Sequence, residues 1–135
     1  FAPGAEVLYI GDTGAKTIHL DVDTMASLGL SFDVHGKFPD VVLFHRAMNW
    51  LYLIEAVTSH GPVDSERHLE LADLFADSTA GLVFVTAFPD RRSLGRYASE
   101  ISWETEVWVA DHPEHLIHYN GENFLGPHKG GGVGE

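Results

Sequence analysis

Apolar and polar positions repeat with two different periods along this chain, and each period predicts a different element. Short runs of β-branched, aromatic and aliphatic residues recur at 6–10, 16–21, 41–44, 50–57, 82–88, 105–110 and 116–119. Gly, Pro, Asp or Asn interrupts most of the chain between them, so they read as strands. Gly11-Asp12-Thr13-Gly14 is a tight turn joining the first two into a hairpin. His45–Asn49 is the loop of a second hairpin, and Ser31–Lys37 is a longer loop. The run Trp50–Val57 is apolar on both faces except at Glu55, the pattern of a central strand covered on both sides.

A period near 3.6 appears over residues 65–78. Leu69, Leu71, Ala72, Leu74, Phe75 and Ala76 fall on the apolar side, with Glu66, Arg67, Glu70, Asp73 and Asp77 on the other. This predicts an amphipathic helix capped by Asp64 or Ser65. A shorter helix passes through Met25, Ala26 and Leu28, capped by Asp21 or Asp23 and stopped by Gly29. Pro89 opens a third, with Asp90 near its positive end and Arg91, Arg92 and Arg96 along it, ending near Glu100. The strand at 50–57, the helix and the strand at 82–88 form a βαβ unit, which requires parallel strands and a right-handed crossover. No repeat or internal linker divides the body. The expected architecture is one α/β domain, a mixed central sheet with helices against it, over residues 1–127, followed by a flexible Gly-rich tail at 128–135.

Composition changes this picture in three places. With 135 residues and 44% hydrophobic content, the chain can bury a full core, yet no run approaches the ~20 apolar residues of a membrane span. The absence of cysteine removes disulfides and thiolate metal sites, and a soluble cytoplasmic protein is expected. The formal charge of −12 argues against a general nucleic-acid binder, which usually carries a basic surplus. It is compatible with a metal site, or with a catalytic half whose basic DNA-contacting half lies elsewhere in a longer chain. The chain begins without methionine, which suggests a processed or partial sequence.

The candidate chemistry lies at two misplaced acids. Asp40 follows Pro39 at the start of one strand, and Glu55 sits near the end of the next. A hairpin centred between residues 47 and 48 sets them opposite each other. Two hard carboxylates at that spacing suit Mg²⁺, which takes one or two protein carboxylates and keeps several waters. The carbonyl of Ala56 is a possible third ligand. Such an ion polarises a phosphodiester oxygen and activates a water for attack. The alternative is a pair of solvated or salt-bridged acids. That alternative fits Asp40 better than Glu55, because a carboxylate among apolar neighbours needs a partner.

The wording around the pair carries a resemblance. Pro39-Asp40 and Glu55-Ala56-Val57, followed by a helix and a parallel strand, resemble the core of the PD-(D/E)XK nucleases. The segments Tyr9–Lys16, Lys37–Val42, Asn49–Leu51, Glu55–Val63, Gly81–Arg91, Trp103–Trp108 and Phe124–Pro127 resemble the C-terminal catalytic domain of the BsuBI/PstI-type restriction endonucleases. The resemblance implies a restriction-endonuclease-like mixed sheet and a Mg²⁺-dependent type II enzyme. It implies cleavage of double-stranded DNA at a short palindrome by a homodimer. It also implies a helical N-terminal domain ahead of this segment, with a part in DNA recognition.

One position departs from the general nuclease motif. Val57 stands where the lysine of the (D/E)XK element belongs. Lys16, Lys37 and His60 are the candidates to position or activate the attacking water in its place, with Lys16 preferred because it lies in a resembling segment. Ser59, His60, Arg67, Arg91 and Arg92 are candidate DNA contacts, and for Arg91, Arg92 and their neighbour Arg96 a solvated helix face is the competing reading. His112, His115 and His118 look like a metal cluster by spacing, but 115 and 118 fall on opposite faces of a strand, which disfavours zinc. Two rivals remain: a binding module of this fold that has lost its chemistry, motivated by Val57, and a different metal-dependent phosphoesterase, favoured by the acidic charge.

Overall fold

A computed structural model describes residues 3–11, 17–30, 38–57 and 61–121. Its strands are β1 (Glu6–Gly11), β2 (Thr17–Leu20), β3 (Val41–His45), β4 (Trp50–Ala56), β5 (Gly81–Phe88), β6 (Thr105–Val109) and β7 (Leu116–Tyr119). Its helices are α1 (Val22–Ser27), α2 (Ser65–Leu74) and α3 (Arg91–Tyr97), with a 3-10 turn at Ala98–Glu100. The strands form one sheet in the order β2-β1-β3-β4-β5-β6-β7. β4, β5 and β6 are mutually parallel, and every other neighbouring pair is antiparallel. The mixed α/β sheet expected from the sequence is therefore present. β4 holds the central place that its two apolar faces predict.

The β3–β4 register pairs Val41 with Ile54 and Phe44 with Leu51. Asn49 closes the turn with φ +58°, a left-handed conformation that asparagine tolerates better than most side chains. The next step of this register sets Asp40 opposite Glu55, the juxtaposition read from the sequence.

Strand alternation separates two apolar layers. Leu51 and Leu53 of β4, Val42 and Phe44 of β3 and Phe84 of β5 pack with Met25 and Leu28 at α1 and with Leu71 and Phe75 at α2. Val57, Phe88, Val107 and Val109 continue that face beneath Leu94 and Tyr97 of α3. Tyr52, Ile54 and Val85 form the opposite layer. All three helices of the described residues thus contribute side chains to one face. Leu71 and Phe75 are both essentially fully buried, and each contributes about 1.5–3 kcal/mol to holding α2 on the sheet.

Two details of α2 correct the expectation. It ends at Leu74 rather than 78, with Phe75 as its C-cap. Leu69, assigned to the buried face, is 74% exposed. Packing is concentrated on Leu71 and Phe75, four residues apart, so the buried stripe is narrower than the apolar content suggests. α3 likewise stops at Tyr97, and its last turn tightens into the 3-10 segment. Asp21 and Asp64 are the caps of α1 and α2, each accepting from a backbone N–H three residues on. Gly29 ends the α1 turn at φ +83°, where a Cβ would meet the Asp77 carbonyl at 2.7 Å.

Candidate active site

The parallel run β4-β5-β6 places the carboxyl ends of three strands at one edge of the sheet. β3 runs the other way, so its amino end, with Asp40, lies at that same edge. Side chains there project beyond the packed layer, where an acid can meet solvent or ligand. Residues 61–64, which lead into α2, lie at this edge. The Val63 N–H donates to the buried Thr86 Oγ1 at 3.0 Å, which fixes the segment leading into α2.

A cavity of about 470 Å³ opens at this point, lined by Phe38, Asp40, Glu55, Gly61, Pro62, Asp64, Arg67 and Glu70. The Ala56 amide donates to Asp40 Oδ2 at 2.8 Å, leaving Oδ1 for another partner. In a strand the N–H and C=O of one residue point the same way, so the Ala56 carbonyl also faces β3. The register puts Pro39 opposite Ala56, and proline has no N–H to offer that carbonyl. Position and chemistry thus turn an oxygen of Ala56 towards Asp40 without a ladder partner from β3.

Glu55 is held by Arg67. Nε donates to Oε2 and Nη2 to Oε1, both at 3.1 Å, a two-pronged ion pair between side chains only 16% and 14% exposed. Arg67 also donates from Nη1 to Glu70 Oε1 and from Nη2 to the Phe38 carbonyl at 3.3 Å. Its own backbone N–H is the one capped by Asp64, at 2.8 Å. Burial pushes the Glu55 carboxyl above the ordinary glutamate range, against the opposing pull of Arg67; the nearby Asp40 charge adds to the rise. Burial works against the Arg67 charge too, but Glu55 and Glu70 outweigh it and raise the guanidinium further.

Arg67, a candidate DNA contact, and Glu70 were both expected on the charged side of α2, away from its apolar stripe, and the structure turns both towards Glu55. Both reach into the cavity, because α2 starts over the end of β4 and Arg67, one turn ahead of the buried Leu71, meets Glu55 rather than water. A charge three residues after a cap, with an acid three residues further on, was the available signal. Glu70 and Phe38 are cavity residues that sequence reasoning did not single out, and Asp64 was read only as a cap.

Of the other candidates, Arg91 and Arg92 lie on α3 and do not line this cavity. Arg91 instead borders a small hollow with Val107, Val109, His112, His115 and Ile117. Val57 is 6% exposed and packs with Phe88, Ile101, Val107 and Val109, so the position of the expected lysine is a core position. His118 pairs with Glu106 and His115 with Glu114, and among the described residues no group of three or more His, Asp or Glu is arranged for a metal. Lys16, Lys37, Ser59, His60 and the tail at 128–135 lie outside the described residues. Their flanks are informative: Thr17 pairs with Gly11, and the Gly11 N–H donates to the Asp40 carbonyl at 2.9 Å.

The donor set is compatible with a hard divalent cation. It offers an Asp40 oxygen with no hydrogen bond among the described residues, the buried carboxylate of Glu55, an Ala56 carbonyl without a β3 donor, and a cavity with room for waters. No softer ligand is among them.

This is the architecture of restriction endonucleases. The SdaI restriction endonuclease structure matches with a TM-score of 0.82 and 52% identity, over 96% of this chain and 41% of that one. The chain belongs to the BsuBI/PstI restriction endonuclease family, whose domain model matches residues 1–122. The type II restriction enzyme BsuBI of Bacillus subtilis is 57% identical over 129 residues, covering 96% of this chain and 41% of the relative. The type II restriction enzyme AplI of Arthrospira platensis is 35% identical over 127 residues, covering 89% and 39%. The chain therefore spans about two fifths of the length of these relatives. No helix among the described residues is long and apolar enough to cross a membrane.

Proposed function

We propose that this chain is the catalytic part of a cytoplasmic type II restriction endonuclease that hydrolyses phosphodiester bonds of double-stranded DNA at a short palindromic site. Mg²⁺ is its cofactor and a homodimer its working form. The remaining length of its relatives corresponds to an N-terminal domain that shares in recognition. The observation that carries this reading is the placement of Asp40 and Glu55 together in an open cavity at the sheet edge, in a chain of this family.

Asp40 Oδ1, the Glu55 carboxylate and the Ala56 carbonyl are the proposed metal ligands. When bound, the ion supplies Lewis-acid stabilisation of the charge that builds on the phosphate. Asp40 is kept oriented by the Ala56 amide, so its free oxygen is aimed without a search over rotamers. Phe38 and Pro62 shield one side of the cavity from bulk water and strengthen each charge interaction within it. Lys16 is the proposed group that positions the attacking water, with His60 as second candidate. What supports Lys16 is its chain neighbour Thr17, which pairs with Gly11, whose N–H donates to the Asp40 carbonyl. Ser59, Arg91 and Arg92 are proposed backbone contacts to DNA, and Arg67 lines the same cavity. The acidic net charge means that these local cations work with the rest of the protein to hold the duplex.

The burial of Val57 favours one second reading, a DNA-binding module without chemistry. Plasmid cleavage by the complete protein with Mg²⁺ separates the two. Discrete fragments that disappear in Asp40→Ala and Glu55→Ala support the nuclease. Tight duplex binding with no cutting by the unaltered protein supports the module.

A further inference from the structure

Arg67 occupies an unusual position for a residue beside a candidate metal ligand. Both of its prongs are on Glu55, so both oxygens that would face a metal are already bonded to a cation. The same guanidinium reaches a second carboxylate, Glu70, and a backbone carbonyl, Phe38. Glu70 is far more open than Glu55, with its side chain 38% exposed against 14%. Arg67 is therefore suspended between a buried acid and a half-exposed one on its own helix, three residues away.

We propose that Arg67 is a resident counter-cation that holds Glu55 in place while the metal is absent and passes to Glu70 when the metal arrives. This rests on the reading of Asp40 and Glu55 as metal ligands. Without a cation beside it, Glu55 is a buried charge supported only by the Asp40 backbone N–H, and a buried ion without a counter-charge costs several kcal/mol. A divalent ion that takes the lone pairs now bonded by the two prongs displaces the guanidinium from them. Loading the site therefore releases at least one prong of Arg67, and the released N–H groups need an acceptor. Glu70 is already in contact, so the transfer needs no large movement of α2. The Asp64 cap and buried Leu71 keep the backbone of that helix fixed throughout. After the transfer Arg67 faces the same cavity with a prong free, where a DNA phosphate can take it up. Arg67 is on this account a positioning residue, acting through Glu55.

The roles of Arg67 and Glu70 then have opposite signs in metal binding. Removing Arg67 removes the competitor. Removing the Glu70 charge removes the acceptor and leaves Arg67 on Glu55. A merely structural ion-pair network would weaken with either change.

The test is Mn²⁺ binding to the complete, DNA-free protein, followed by electron paramagnetic resonance of the free ion. Arg67→Met is expected to bind Mn²⁺ about tenfold more tightly, the value of one charge-assisted hydrogen-bonded pair released from competition. Glu70→Gln, a change at a half-exposed side chain that leaves the fold intact, is expected to bind it several-fold more weakly. Asp40→Ala and Glu55→Ala are measured beside them. If both abolish binding while Arg67→Met and Glu70→Gln shift affinity in the same direction, or not at all, the counter-cation role is overturned and the metal site stands. If Asp40→Ala and Glu55→Ala leave binding unchanged, the metal site itself is overturned, and the exchange with it. Should Arg67→Met not fold, Glu70→Gln alone decides: unchanged or tighter binding refutes the exchange.

Discussion

Replacing Thr86 with valine keeps the volume of the side chain and removes one oxygen. Thr86 is fully buried on β5, opposite Glu55 in the parallel β4–β5 register. Its Oγ1 accepts the backbone N–H of Val63, also fully buried, at 3.0 Å. In the valine variant that N–H has no water to turn to. An unsatisfied buried donor costs about 1–3 kcal/mol, while the packing term is close to neutral because the shapes match. With a urea slope of about 2 kcal/mol/M, the unfolding midpoint falls by about 0.5–1.5 M. The loss is local as well as global, since Val63 anchors the segment whose Pro62 and Asp64 wall the cavity and start α2. Thr86→Ser keeps the acceptor and loses one methyl, about 1 kcal/mol. Urea denaturation gives the midpoints, and amide hydrogen exchange separates the two variants: Val63 exchanges faster in the valine form than global stability accounts for, and does not in the serine form. A valine variant within 0.2 M of the parent midpoint, with Val63 still protected, would show that this bond does not hold the cavity wall.

Three further changes test other parts of the account. Val57→Lys restores the motif lysine but places it among Phe88, Ile101 and Val107; the lost valine burial and the buried ammonium together cost about 3 kcal/mol or more, and DNA cleavage does not rise, so a stable variant with faster cleavage refutes the core assignment. Asp64→Ala removes the cap of α2 and costs about 1 kcal/mol in denaturation, while cleavage falls further than Mn²⁺ affinity because Arg67 loses its fixed backbone. Asp90 caps α3, and its backbone bond from Ser93 holds its carboxyl below the ordinary aspartate range. A depressed acid stabilises the fold above its ordinary pKa and loses that contribution as pH falls through the folded value. The midpoint gap between parent and Asp90→Ala is therefore largest near pH 7 and closes below about pH 4; a gap that widens on acidification contradicts the cap.

Much of this site was legible in the chain because strand register is arithmetic. A hairpin centred between 47 and 48 has one register that buries Val42, Phe44, Leu51 and Leu53 together, and that register brings Asp40 to Glu55. The caps at Asp21 and Asp64 were legible because a cap is a local bond. Arg67 was not. Helical periodicity treats every charge as facing water, and nothing local to α2 announces that β4 delivers an acid beneath it. Leu69 fails in the converse way: periodicity counts it as core, but the sheet leaves it nothing to pack against. Val57 was read as standing where the motif lysine belongs, and the fold accounts for a valine there through the cluster it fills beneath α3.

The central claim is that Asp40, Glu55 and the Ala56 carbonyl together hold a divalent ion. Anomalous diffraction from a crystal of the complete protein soaked in Mn²⁺ tests it most directly. One strong peak is expected at this sheet edge, within about 2 Å of an Asp40 oxygen and a Glu55 oxygen, with Arg67 moved onto Glu70. A peak elsewhere, with Asp40 unliganded and Arg67 still on Glu55, would contradict it.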